Sequence, residues 1–159
     1  MLERGLLVIT LVAGAGVGFF WPAHSPQPAA AAAATSAIEV TLERSSDHHF
    51  YANANVNGHD VRFLVDTGAS EIALTEEDAK KVGISFDPSK YELLGEGASG
   101  FVRGQYVNLD SLQLDGIHQN GAKAVVVEGA TVSLLGQPFL ENVDEIVIRR
   151  DEMVLRDQS

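Results

Sequence analysis

The chain has 159 residues, enough for one domain with a core of its own, and it contains no cysteine. Disulfides, thiolate nucleophiles and cysteine-based zinc sites are therefore excluded. The formal net charge is −11, and of 22 acidic and 11 basic residues only Glu3 and Arg4 precede residue 37. So acidic a surface repels a phosphate backbone and argues against a nucleic-acid partner.

Residues 1–36 read as separate from the domain that follows. Leu6–Trp21 is a run of sixteen uncharged residues preceded by Arg4, and the next basic residue is Arg44. That asymmetry holds the N-terminus inside and sends the rest of the chain outward. The run is short for a spanning helix of about 20 residues. It is slightly long for a signal-peptide apolar region of roughly 7–15 residues. The stretch from His24 through the alanines Ala29–Ala34 reads as a linker, and it also offers small-residue cleavage sites. The expectation is an inner-membrane anchor with a domain at 37–159 in the periplasm; the alternative is secretion to the periplasm after cleavage.

Within the domain, Ile38–Leu42 alternates apolar and polar residues as a half-buried strand does. Arg44–His49 is a polar turn. Phe50, Ala52, Ala54 and Val56 then alternate with Tyr51, Asn53 and Asn55, and Asn57-Gly58 predicts a tight hairpin into Val61–Val65. Thr75 caps a predicted helix that opens on Glu76, Glu77 and Asp78 and stops near Gly83. Ile84–Lys90 reads as a loop. Glycines at 95, 97, 100 and 104 punctuate the next two strands, and Val107–Leu114 continues the strand pattern up to an Asp115-Gly116 turn. Ala124–Val127 is an apolar run typical of a strand covered on both faces. Asp144–Leu155 closes the chain as a hairpin. Many short strands and one or two short helices, without α-β alternation, predict a mainly-β closed sheet or barrel.

The most informative segment is Val61–Ile72, an apolar strand running into Asp66-Thr67-Gly68-Ala69-Ser70. Asp and Gly are ordinary turn residues, so the bare tripeptide says little. Its setting between Phe63-Leu64-Val65 and Ile72-Ala73-Leu74 says more. That setting resembles the active-site loop of the retropepsin-like (retroviral-type) aspartic proteases. Val132–Leu140, with Leu134-Leu135-Gly136 at its centre, is similar to that family's hydrophobic-hydrophobic-Gly element and the short helix after it. Tyr91–Val102 is similar in place and glycine content to the family's flap. The resemblance covers roughly residues 38–156 and is closest to membrane-anchored bacterial members.

The resemblance implies a closed-barrel, single-domain fold and an aspartic-type endopeptidase acting on polypeptide. Catalysis in that family uses two carboxylates sharing one proton. This chain has one Asp-Thr-Gly, so the resemblance implies a homodimer with one catalytic Asp per subunit. Asp66 takes the catalytic role. Thr67 bonds across to the partner loop and Gly68 lines the substrate backbone. Ala69 fits the pattern, whereas Ser70 stands where viral members place an Asp. Gly95, Gly97 and Gly100 are flap candidates, and Leu134, Leu135 and Gly136 are structural, packing beneath the loop. No cofactor and no metal is expected: His48 and His49 point to opposite faces of any strand, and His24, His59 and His118 sit in linker or predicted turns. Two other readings stay open on the same fold, a non-catalytic binding or dimerisation module and a structural periplasmic domain.

Overall fold

Alternating apolar positions in successive short strands can be buried only by rolling the sheet onto itself, which also removes its edges. The computed structural model describes residues 37–97 and 100–158; the apolar run at 6–21 and the linker lie outside them. β2 (Tyr51–Val56), β3 (His59–Val65), β8 (Ser133–Leu135), β4 (Ile72–Leu74), β7 (Ile117–Val127) and β6 (Gly100–Leu114) neighbour one another in that order. Asn55↔Gln113 and Val56↔Leu112 then pair β2 with β6 and close the ring. The result is the predicted mainly-β closed barrel. β5 (Glu92–Gly97) stands outside the ring, paired to β6 alone.

The barrel fills with the apolar halves of the alternating strands. Phe63, Ile72, Leu74, Leu112, Leu135 and Phe139 are all fully buried. Asn57 and Gly58 take the two left-handed positions of the β2–β3 hairpin, at φ 51 and 88. α1 (Glu76–Lys81) begins where Thr75 accepts the Asp78 amide, and buries Ala79. α2 (Gln137–Leu140) is one turn that buries Phe139 and Leu140. A separate antiparallel sheet runs β1 (Ile38–Glu43), β10 (Glu152–Asp157), β9 (Glu145–Ile148). Arg156 crosses it, pairing with Glu39 at 2.8 Å and with Glu145. The first and last strands are thus joined to each other along their whole length, Ile38 opposite Asp157 and Glu43 opposite Glu152.

Two expectations change. Pro88–Lys90 is a 3-10 turn rather than open loop, because Asp87 caps it through the Ser89 amide and Pro88 presets its first residue. β7 begins at Ile117, well before the apolar run, so His118 is a strand residue and not a turn residue; His59 likewise opens β3. Pairing with β6 from Leu114↔Ile117 onward overrides the weak strand preference of Gln119, Asn120 and Gly121. The polar turn expected at Arg44–His49 is present, with His48 at φ 69 between the bonded Ser45 and His49 backbones.

At Gly104, β7 leaves β6 no room for a side chain. A Cβ there would stand 2.3 Å from the Val126 carbonyl oxygen and 2.9 Å from Leu94 Cδ1. Gly104→Ala should therefore lower stability by about 1–3 kcal/mol, read as a shifted urea midpoint with an unchanged slope.

Candidate active site

β3 ends at Val65 and delivers Asp66 to the mouth of the barrel. The anchor is β8, which runs parallel to β3 (Val65↔Leu135) and antiparallel to β4 (Ala73↔Leu134). The Asp66–Glu71 loop leaves one side of β8 and returns on the other. The Asp66 amide donates to the Leu135 carbonyl at 3.1 Å, so the catalytic candidate hangs from the Leu-Leu-Gly element by its own backbone.

Two residues behind the loop hold it. Gly136 is buried, and a Cβ on it would stand 2.2 Å from the Glu71 carbonyl oxygen and 2.7 Å from that of Ala69. Only a residue without a side chain admits the loop at that depth. Gln137 then clamps it twice, its amide on the Ala69 carbonyl at 2.9 Å and its Nε2 on the Thr67 carbonyl at 2.5 Å. Inside the loop, the Gly68 amide donates to Asp66 Oδ1 at 2.9 Å and the Ala69 amide to the Asp66 carbonyl at 3.2 Å. Asp66 is half-buried, and Thr67, Gly68 and Ser70 face solvent. Sequence reasoning placed Leu134, Leu135 and Gly136 by this loop but assigned Gln137 nothing.

A buried polar cluster fixes the start of β8. Ser133 is wholly buried and donates its hydroxyl to Asp78 Oδ2 at 2.6 Å. Thr75 donates to the same oxygen at 3.0 Å, while its amide meets Ser133 Oγ at 3.1 Å. One carboxylate thereby ties α1, the end of β4 and β8 together. The sequence carries the Thr75 cap as a signal but nothing that links it to Ser133.

The segment that resembles a flap, Tyr91–Val102, forms the β5–β6 hairpin. Gly97 opposes Gly100 at its tip, and the pairing skips at Leu94 between Leu93 and Gly95. Phe101 is 77 % exposed and Leu93 63 %. At its base, Arg103 donates to the Tyr91 carbonyl at 2.9 Å and pairs with Glu128 at 3.2 Å. Tyr91 itself is buried and donates to Glu76 at 2.8 Å; burial and that carboxylate push its phenol well above the ordinary range, so it stays a neutral donor. The base is anchored. Beside the loop, Glu71 accepts from Tyr106 at 3.4 Å, on the wall of an open groove also lined by Asn108 and Lys123.

This geometry sets an expectation for Gln137. Gln137→Ala removes the side-chain bond to Thr67 but leaves the backbone bond to Ala69. It should cost about 0.5–1.5 kcal/mol in thermal or urea melts. Gly136→Ala should cost more, because the loop backbone itself must move.

The family model described as "gag-polyprotein putative aspartyl protease" matches residues 52–142, from β2 through α2. An uncharacterized protein of Rickettsia prowazekii, RP867, is 37% identical over 121 residues, covering 76% of this chain and 52% of that protein. An uncharacterized protein from the cobV 5′ region of a Sinorhizobium species is 37% identical over 123 residues, covering 75% and 52%. The chain thus spans about half the length of the curated relatives it matches. Among solved structures, a retropepsin-like aspartic protease from Rickettsia conorii aligns with a TM-score of 0.64 and 36% identity, over 76% of this chain and 91% of that one. EIAV protease, solved with the inhibitor HBY-793, aligns with a TM-score of 0.53 over 66% and 97%; at 17% identity this is a likeness of fold. With the model covering the barrel, the Asp66 loop and the Leu-Leu-Gly element together, the chain belongs to the retropepsin-like aspartic protease family.

Proposed function

We propose that the domain is an aspartic endopeptidase that cleaves polypeptide as a homodimer, each subunit supplying Asp66. The observation that carries this reading is the hold on the Asp66 loop: Leu135 from beneath, Gly136 and Gln137 from behind, Gly68 on the carboxylate. A turn that only reversed the chain would need no such backing. Two such loops facing across a two-fold axis put two carboxylates close enough that they share one proton. The ionised Asp66 takes a proton from water, whose oxygen attacks the scissile carbonyl carbon. The protonated Asp66 of the partner subunit gives its proton to the carbonyl oxygen. Collapse of the tetrahedral intermediate breaks the C–N bond: the first Asp66 gives its proton to the leaving nitrogen, and one hydroxyl of the diol returns its proton to the Asp66 of the partner subunit. Thr67 bonds across to the partner loop, and the flap from Gly95 to Gly100 closes over the peptide and excludes water. No cofactor enters this scheme.

The proposal extends to place. Residues 1–36 anchor the chain in the inner membrane and the domain from residue 37 works in the periplasm, with polypeptide and not nucleic acid as its partner. Arg4 before an uncharged run, with no basic residue until Arg44, supports that orientation. A C-terminal reporter active only outside the cytoplasm should light up, and recovery of the whole chain from the cytoplasm would defeat the placement.

Asp66→Asn is nearly isosteric and cannot act as a base. It should lower cleavage of an unfolded protein substrate at least about a hundredfold while leaving the melting curve in place. Full activity in that folded variant would remove the loop from the mechanism and favour a binding module. Thr67→Ala should weaken self-association and turnover together, as read by sedimentation and by peptide cleavage on the same preparation.

A further inference from the structure

β8 carries the Asp66 loop at one end, and at its other end it hangs on a single carboxylate. The chain reaches β8 from an open turn: Glu128, Gly129 and Thr131 are exposed, and Ser133 is the first buried residue after Val126. The strand has three residues, set against Phe63, Leu64 and Val65 of β3 and paired to β4 at Ala73↔Leu134. So short a ladder leaves the lengthwise position of the strand to whatever grips its ends. Past Leu135 the grip is that of Gly136 and Gln137 on the loop. At the start it is Ser133, which donates to Asp78 Oδ2 at 2.6 Å and accepts from the Thr75 amide at 3.1 Å. Thr75 donates to the same Oδ2 and accepts the Asp78 amide, both at 3.0 Å, so Asp78 cannot swing without opening its own helix cap. α1 is itself a fixed point, with Ala79 and Val82 buried. Of the three acidic residues that open it, Glu77 is exposed, Glu76 receives Tyr91, and Asp78 is the one that reaches β8.

We propose that Asp78 is a positioning residue for the Asp66 carboxylate, acting through Ser133 and the length of β8. The proposal rests on the peptidase reading above and adds to it a residue outside the loop. From Ser133 to Leu135 the strand advances about 7 Å. The Leu135 carbonyl then receives the Asp66 amide at 3.1 Å. An extended strand is stiff along its axis, so a shift at Ser133 arrives at that carbonyl undiminished. A reacting group misplaced by about 1 Å can lose about a hundredfold in rate. Asp78 touches no substrate in this scheme, so its loss leaves the binding contacts in place and is felt in turnover. The role asks for an acceptor, not for a charge. Both hydroxyls use one oxygen, Oδ2, and Asp78 also borders an open groove with Glu77 and Lys80. An Asn at this position presents its oxygen to both hydroxyls and turns its amide toward the groove.

Steady-state cleavage of an unfolded protein substrate by the full-length chain tests this. Asp78→Ala and Ser133→Ala should each lower kcat roughly tenfold and leave KM within about twofold of the parent. The double variant should be no worse than either single one, since the two groups act as a unit. Asp78→Asn should recover kcat to within about twofold of the parent. Val56→Ala is the control: it hollows the core opposite His59, at the other end of β3 from Asp66, and should lower the melting temperature without changing kcat. Losses that fall on KM, that Asn does not rescue, that add in the double variant, or that Val56→Ala reproduces, overturn the proposal. Should Asp78→Ala fail to fold, Ser133→Ala against Asp78→Asn carries the same comparison. Amide hydrogen exchange supplies a readout without turnover. In Ser133→Ala the Asp66 and Gln137 amides should exchange at least about tenfold faster, while those of the β2–β3 hairpin keep the parent rate. Unchanged exchange at Asp66 overturns the positioning role even in a chain without activity. A parent chain that cleaves nothing, with exchange altered as expected, sinks the peptidase reading alone. Cleavage by the parent, with exchange and kcat unchanged in the variants, sinks the positioning role alone.

Discussion

The site depends on one close approach, that of Gly136 to the carbonyls of Ala69 and Glu71. β8 is only three residues long, but it lies between the two strands that enter and leave the Asp66 loop. A side chain at Gly136 would hold the loop off the barrel, and the hydrogen bonds from Gln137 would open with it. Everything polar around the loop follows from that contact. Asp66 is oriented by backbone groups on both sides, and its own carboxylate is braced by the Gly68 amide. Backbone donors do not rotate away, so the orientation carries little entropic cost once the barrel has formed.

The barrel in turn makes β8 reliable. Ser133, at its start, is buried with its hydroxyl committed to Asp78, and Thr75 shares the same oxygen. A carboxylate receiving two hydroxyl donors in a half-buried place is well satisfied, so the cluster adds specificity without leaving an orphaned charge. The flap obeys the opposite logic. Its base is fixed by Arg103, Tyr91 and Glu76, and its outer strand is exposed along almost its whole length. The backing under the carboxylate is thus stiff, while the hairpin is held at its base.

Much of this was readable in the residues. Asn57-Gly58 and the Thr75 cap are local signals, decided within a few residues, and both elements form where those signals put them. The Asp66 loop stands out because its Asp-Thr-Gly lies between two apolar strands. What could not be read depends on distant pairing. Gln137 meets Thr67 across seventy positions, and Ser133 meets Asp78 across fifty-five. Neither spacing carries any periodicity. β7 extends beyond its apolar run at 124–127 for a related reason: His118, Gln119 and Asn120 have little strand preference, and only their ladder with β6 makes them extended.

β6 has fifteen residues and serves two structures at once, as one arm of the flap and as a stave of the barrel. Its two ends are therefore under different rules of change. Near the barrel, the β2 pairing and the tight seat of Gly104 against Val126 fix the strand to the residue. Beyond that seat only β5 opposes it. Since facing alternates with every residue, the arm can lengthen or shorten across a lineage only by two positions at a time on each strand. A single inserted residue would turn Phe101 and Val102 over, exchanging one face of the hairpin for the other. Growth of the hairpin is thus quantised by the pleat, while the barrel beneath it is held constant.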